Sequence, residues 1–208
     1  MNKKAFSTVV FFVCLSVLSC AAMAQQPRGR ARRSGGLDNL SLPSTGVSLA
    51  SASWQQIAPP GAGFSVMMPG SPEEMSNDEV KAPNAPGMRQ YHVKADDMEY
   101  TVAALLNLPT VITDEPGFAA QYFKMLPTGM IKSAEYARKN YTLASQRPVS
   151  INGYPGRHYK FDSTDYTCMM RVYIIERNVY IMAVESPKST GSDANVEKFL
   201  SSFAIKEG

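Results

Sequence analysis

Tyr166-Thr167-Cys168-Met169-Met170-Arg171-Val172-Tyr173-Ile174-Ile175, followed after Glu176-Arg177-Asn178 by Val179-Tyr180-Ile181-Met182-Ala183-Val184-Glu185, is the stretch that decides the fold. Both runs are rich in β-branched and aromatic residues and flank a polar turn, so they read as paired strands. Neighbours in a strand face opposite sides, which puts Tyr166, Cys168, Met170, Val172 and Ile174 on one face and Met169, Tyr173 and Ile175 on the other. Both faces are apolar. A sheet with water on one side would not need that, so layers must cover this one on both sides.

Working outward, Tyr141 to Ile151 and Arg157 to Phe161 flank Asn152-Gly153, a pair suited to a type I′ hairpin because both residues tolerate positive φ. Asp162-Ser163-Thr164-Asp165 turns the chain into the deciding strands. Upstream, Gln90 to Lys94 and Tyr100 to Leu108 read as a hairpin about Ala95-Asp96-Asp97-Met98, and Phe64 to Met68 as a short strand closed by Pro69-Gly70. The covering layers are helical. One helix is predicted to open at Thr113 as N-cap, with Asp114 and Glu115 in its first turn and Phe118, Tyr122, Met125 and Leu126 on one face. Pro127 should kink or end it, with a second piece reaching about Tyr136. A last helix from Ser192 carries Val196, Phe199, Leu200 and Phe203 at helical spacing. The expected fold class is α/β (α+β): an antiparallel sheet of about six strands covered by helices on both faces.

The N-terminal part has another character. In residues 1–24, Lys3 and Lys4 precede an apolar run from Ala5 to Leu18, and Ala22 and Ala24 occupy the small-residue positions of a cleavage site before Gln25, the pattern of a signal peptide. The expectation is an exported protein, periplasmic or extracellular. Val17-Leu18-Ser19-Cys20 imitates a lipobox, and lipid anchoring at Cys20 is the alternative. Residues 25–53, rich in Ser, Gly, Arg and Pro, cannot bury enough surface to offset ordering entropy and read as a disordered basic linker. Arg28, Arg30, Arg32 and Arg33 within it could touch anionic lipid or cell wall weakly, with no specific nucleic acid implied. Residues 54–208 then form one domain.

Charge follows the same division. The chain carries 21 basic and 18 acidic residues. Without the leader lysines and the linker's charges the balance is 15 basic to 17 acidic, so the folded part is near neutral. Of Cys14, Cys20 and Cys168 only the last survives cleavage at Ala24, which leaves no internal disulfide; Cys168 on an alternating strand reads as a buried, inert thiol.

Trp54, Gly63-Phe64-Ser65-Val66, Met68-Pro69-Gly70, Asn152-Gly153-Tyr154-Pro155-Gly156-Arg157, the pair Arg171 and Tyr173, Tyr180-Ile181-Met182-Ala183-Val184 and Phe199-Leu200-Ser201-Ser202-Phe203 together resemble small bacterial envelope proteins of the PsbP-like superfold. That superfold takes in the extrinsic PsbP subunit of the oxygen-evolving complex, DcrB-like envelope lipoproteins and a nuclear import factor that binds the Ran GTPase. The resemblance covers about residues 54–205 and rests on turn residues and core aromatics. It implies an α/β/α sandwich with an accessory or binding role, and it carries no active site across.

The residues themselves offer little chemistry. His92 and His158 fall in separate strands without ligands at metal spacing. Gly61-Ala62-Gly63 leads into a strand rather than a helix, unlike a phosphate loop. Asp162 and Asp165 flank a turn but fall short of the roughly six to eight oxygens that calcium takes. Met67-Met68 and Met169-Met170 could offer thioethers to Cu(I), yet neighbours on a strand point apart. Arg157 and Arg171 stand on otherwise apolar or aromatic strands; side by side they would clamp an anionic ligand or a partner carboxylate, while the plainer reading packs their stems over tyrosines with their heads in water. No catalytic residue, cofactor or metal is expected. The functional expectation is a non-catalytic accessory protein of the bacterial cell envelope docking an unknown envelope protein, the alternative a small-molecule or metal carrier using a cleft between sheet and helix.

Overall fold

The computed structural model describes residues 53–74, 87–190 and 193–206. The leader, Cys20 and the four linker arginines lie outside the described residues. Seven antiparallel strands form the main sheet in the order β3-β4-β5-β9-β8-β7-β6. They are β3 (Glu73–Glu74), β4 (Gly87–Ala95), β5 (Met98–Leu106), β6 (Thr142–Ile151), β7 (Tyr154–Asp162), β8 (Tyr166–Ile175) and β9 (Asn178–Pro187). The six long strands are those expected. The two-residue β3 adds an edge, pairing Glu73 with His92. Asn152 and Gly153 both take positive φ, 47° and 82°, as a type I′ turn requires. A three-stranded sheet stands apart in the order β1-β2-β10, built from β1 (Trp54–Ile57), β2 (Phe64–Pro69) and β10 (Ala204–Ile205).

Two apolar clusters divide at the main sheet. One joins Phe161, Cys168, Met170, Val172 and Ile174 to Ile112 of α1 (Thr110–Thr113), to Phe118, Tyr122, Phe123, Leu126 and Met130 of α2 (Phe118–Lys132) and to Tyr136 of α3 (Ala134–Arg138). The other joins Tyr100, Val102, Tyr173, Tyr180 and Met182 to Phe64, Val66 and Met68 of β2 and to Val196, Phe199 and Leu200 of α4 (Asp193–Ser201). The second layer is therefore a helix and a small sheet together, where the sequence reading named helices alone. Ser202 fastens these two parts: its hydroxyl accepts from the Met67 amide at 2.9 Å and donates to the Phe199 carbonyl at 2.7 Å. Phe203 stacks on Tyr173 with the ring planes 11° apart.

Helix boundaries correct two expectations. Thr113 closes the four-residue α1 instead of opening the long helix, which starts at Phe118 behind Gly117 at φ 80°. Pro116 disfavours a helical Glu115, and the glycine takes a left-handed turn that side chains resist, so the chain must restart. Pro127 does not end α2, which runs on to Lys132. The carbonyl of Phe123, deprived of a donor by Pro127, instead accepts from the Tyr159 hydroxyl at 2.8 Å. The break comes at Ser133, in extended backbone.

Candidate functional site

Register decides which charged side chains meet. Arg157 lies opposite Val172, and His158 opposite Arg171. Arg157 and Arg171 consequently project to opposite faces, and the side-by-side clamp expected of them does not form. Arg157 turns to the helical layer, its guanidinium Cζ 5.9 Å from the centroid of Phe123, so the charged head itself meets a ring, and that ring is a phenylalanine where tyrosines under the stem were expected. Arg171 faces α4.

A different row forms there. Arg147 of β6 lies opposite His158 of β7, and His158 opposite Arg171 of β8, so three basic side chains stand on one face across three adjacent strands. Arg171 is held from two sides. Its Nη2 donates to both carboxylate oxygens of Glu197 on α4, at 2.7 and 2.8 Å, and its Nε–H donates to His158 Nδ1 at 3.4 Å. Accepting at Nδ1 leaves the imidazole proton on Nε2. The Arg171 side chain is 11% exposed and that of Glu197 62% exposed. Burial pushes the His158 pKa below its ordinary 6.5, and Arg147 and Arg171 push it the same way against the weaker pull of Glu197. Lys160, two residues along β7, pairs with Asp162 at 3.8 Å.

A second charged cluster ties the segment that follows α3 to the sheet. Glu185 pairs with Lys139 and accepts from the Tyr141 hydroxyl at 2.9 Å, while Lys139 lies 5.1 Å from the Tyr166 ring centroid. Nearby, the Tyr136 hydroxyl and the Cys168 sulfur approach to 3.3 Å, and Cys168 is fully buried. Burial drives the Tyr136 pKa well above 10, with Cys168 and Glu185 adding to it. Tyr136, Tyr141 and Cys168 are buried and serve the core, while Lys139 and Glu185 are partly exposed at its margin.

The other sequence candidates are dispersed. Asp162 accepts from the Thr167 hydroxyl at 2.8 Å beside the turn, and among the described residues no three His, Cys, Asp or Glu side chains gather as a metal site. Met68 and Met170 fill different clusters on either side of the sheet. A groove of about 550 Å3 runs along Gln121, Lys124, Met125, Thr128, Gly129 and Lys132 on the outer side of α2, away from the sheet–helix seam where a carrier's cleft was expected.

Sequence reasoning missed Arg147 and His158 as partners, although the Asn152-Gly153 hairpin contained the signal: residues equidistant from a two-residue turn lie opposite one another. Comparison with solved structures finds likeness to cyanobacterial PsbP from Synechocystis sp. PCC 6803, with TM-score 0.49 and 13% identity over 82% of this chain and 99% of that one. A protein of unknown function, PA94 from Pseudomonas aeruginosa, is similar at TM-score 0.42 and 10% identity over 74% and 99% of the two chains. A Bacteroides thetaiotaomicron protein is similar at TM-score 0.38 and 13% identity over 73% of this chain and 48% of its own. No residue role is carried across from any of these structures. No family model and no curated protein matches the chain.

Proposed function

We propose that this protein is an exported, non-catalytic accessory protein of the bacterial cell envelope that docks a protein partner through the β6–β7 side of its sheet. The observation that carries this reading is the Arg147–His158–Arg171 row. Arg147 is exposed, His158 is half-buried, and the row lies on β6, a ten-residue strand paired among the described residues only with β7. Such a strip of charge over an apolar sheet suits orientation and specificity of docking more than chemistry, since nothing in it activates a nucleophile. The apolar run and small-residue site of residues 1–24 support export, with a mature chain starting at Gln25 and diacylated Cys20 as the competing outcome.

The test places a photo-crosslinking residue at Ser145 on β6 and, separately, at Lys124 on α2, in the cell. A discrete protein captured from Ser145, absent from Lys124 and lost on Arg147→Glu, is the expected result. Equal capture from both faces, or none, would overturn the docking reading.

A further inference from the structure

Resting on that docking reading, we infer that the Arg147–His158–Arg171 row receives an acidic peptide segment of the partner, and that Glu197 holds the place of one partner carboxylate in the free protein.

Three features of the site argue for it. The row presents cationic or proton-donating positions on three neighbouring strands, spanning about 10 Å, close to the reach of three extended residues. A chain carrying spaced carboxylates can match that line. Next, the structure already displays the preferred ligand: Arg171 grips a carboxylate through two contacts of 2.7 and 2.8 Å. The exposures are also unequal. A cation only 11% exposed cannot be left unpaired cheaply, whereas a glutamate 62% exposed surrenders little packing on leaving, so exchange of one carboxylate for another keeps Arg171 satisfied throughout.

His158 adds a pH dependence. Facing it are Arg147 from β6, Arg171 from β8, Glu197 from α4 and, two residues along β7, Lys160, itself paired with Asp162. Among these the cations outweigh the one acid not already engaged by Lys160. An arriving carboxylate favours the imidazolium, so binding tightens as pH falls through the His158 titration.

The probe is a labelled hexaglutamate peptide, with hexaglutamine as control, titrated at low salt against the full chain as the cell delivers it. Hexaglutamate should bind in preference to hexaglutamine, and more tightly at lower pH. Arg147→Ser should weaken binding roughly fivefold, the scale of one exposed ion pair. Glu197→Gln, by removing the internal competitor, should tighten it severalfold. Both effects should persist when Arg28, Arg30, Arg32 and Arg33 are all changed to serine, which separates the row from the linker. Thermal midpoints near the wild type's confirm that the variants fold. No effect of Arg147→Ser and Glu197→Gln, loss of all binding with the linker arginines, or full competition by inorganic phosphate at equal charge would each overturn the inference. A partner crosslinked at Ser145 through a segment without acidic residues would sink this inference and leave docking standing. Hexaglutamate binding as described, with no partner captured in the cell, would leave the site standing and sink docking.

Discussion

The hydroxyl of Tyr159 on β7 donates a 2.8 Å hydrogen bond to the carbonyl of Phe123 on α2, the carbonyl that Pro127 cannot serve. A strand side chain thus repairs a helix that its own sequence would interrupt, and the repair also fixes where the helix lies on the sheet.

Tyr159→Phe should therefore cost about 1–3 kcal/mol, the penalty for a buried carbonyl left without a donor. In a Pro127→Ala background a backbone amide becomes available to Phe123, and the same change should cost about 1 kcal/mol less. Urea unfolding of the four proteins measures the coupling. Strict additivity would mean that the carbonyl does not link the two residues.

Gly156 and Tyr173 make a second close relationship across the β7–β8 pair. A Cβ on Gly156 would stand 2.5 Å from Tyr173 Cδ1 and 2.8 Å from the Val172 carbonyl oxygen. Tyr173 cannot swing away freely, since its ring stacks on Phe203 at 5.7 Å between centroids. Gly156→Ala is expected to destabilise by about 1–3 kcal/mol, as overpacking does. An unchanged urea midpoint would show that the ring has room to yield.

How much of this was legible in the sequence depends on what each residue's partner was. The two-sided apolar runs at 166–175 and 179–185 declared a covered sheet, and Asn152-Gly153 declared its hairpin, because those signals are local. The fate of Pro127 was not legible, since it depends on Tyr159, 32 positions later in the chain. Nor was the pairing of Arg171. The connection after Asp162 is longer than a two-residue turn, so it left the β7–β8 register open by one residue, and one residue is enough to move Arg157 to the other face and bring His158 in. The small sheet escaped because β1 and β10 are too short to show a period; β10 exists through its pairing with β2.

The turn at Asp96-Asp97 offers a stabilising change. Ala95 pairs with Met98, and both intervening aspartates take positive φ, 51° and 61°. Aspartate tolerates that region less well than glycine. Asp97→Gly should raise stability by about 0.5 kcal/mol, the relief of strain exceeding the added freedom of the unfolded chain. Asp97→Val should lower it, because a β-branched residue resists positive φ. A lower thermal midpoint for Asp97→Gly would show that the carboxylate contributes more than the backbone relief.

His158 makes stability depend on pH in a definite direction. In the unfolded chain its imidazole takes a proton near 6.5; in the fold, burial with Arg147 and Arg171 beside it delays that step to lower pH. Between those two values the unfolded state binds more protons, so acid favours unfolding. The contribution of a neutral, buried His158 is thus whole above about pH 6.5 and declines as pH falls toward the folded value. Protonation would also oppose the Arg171 Nε–H now donated to Nδ1 and set a third positive charge between two arginines. Urea midpoints measured from pH 7.5 down to 5 should fall for the wild type and fall less for His158→Gln, which keeps an acceptor for Arg171 but does not titrate. Carboxylates that titrate lower in the range are common to both proteins, so the difference between the two curves isolates His158. Parallel curves would mean that its proton affinity is the same folded and unfolded, and the Arg147–His158–Arg171 row would then lack the positive field assigned to it.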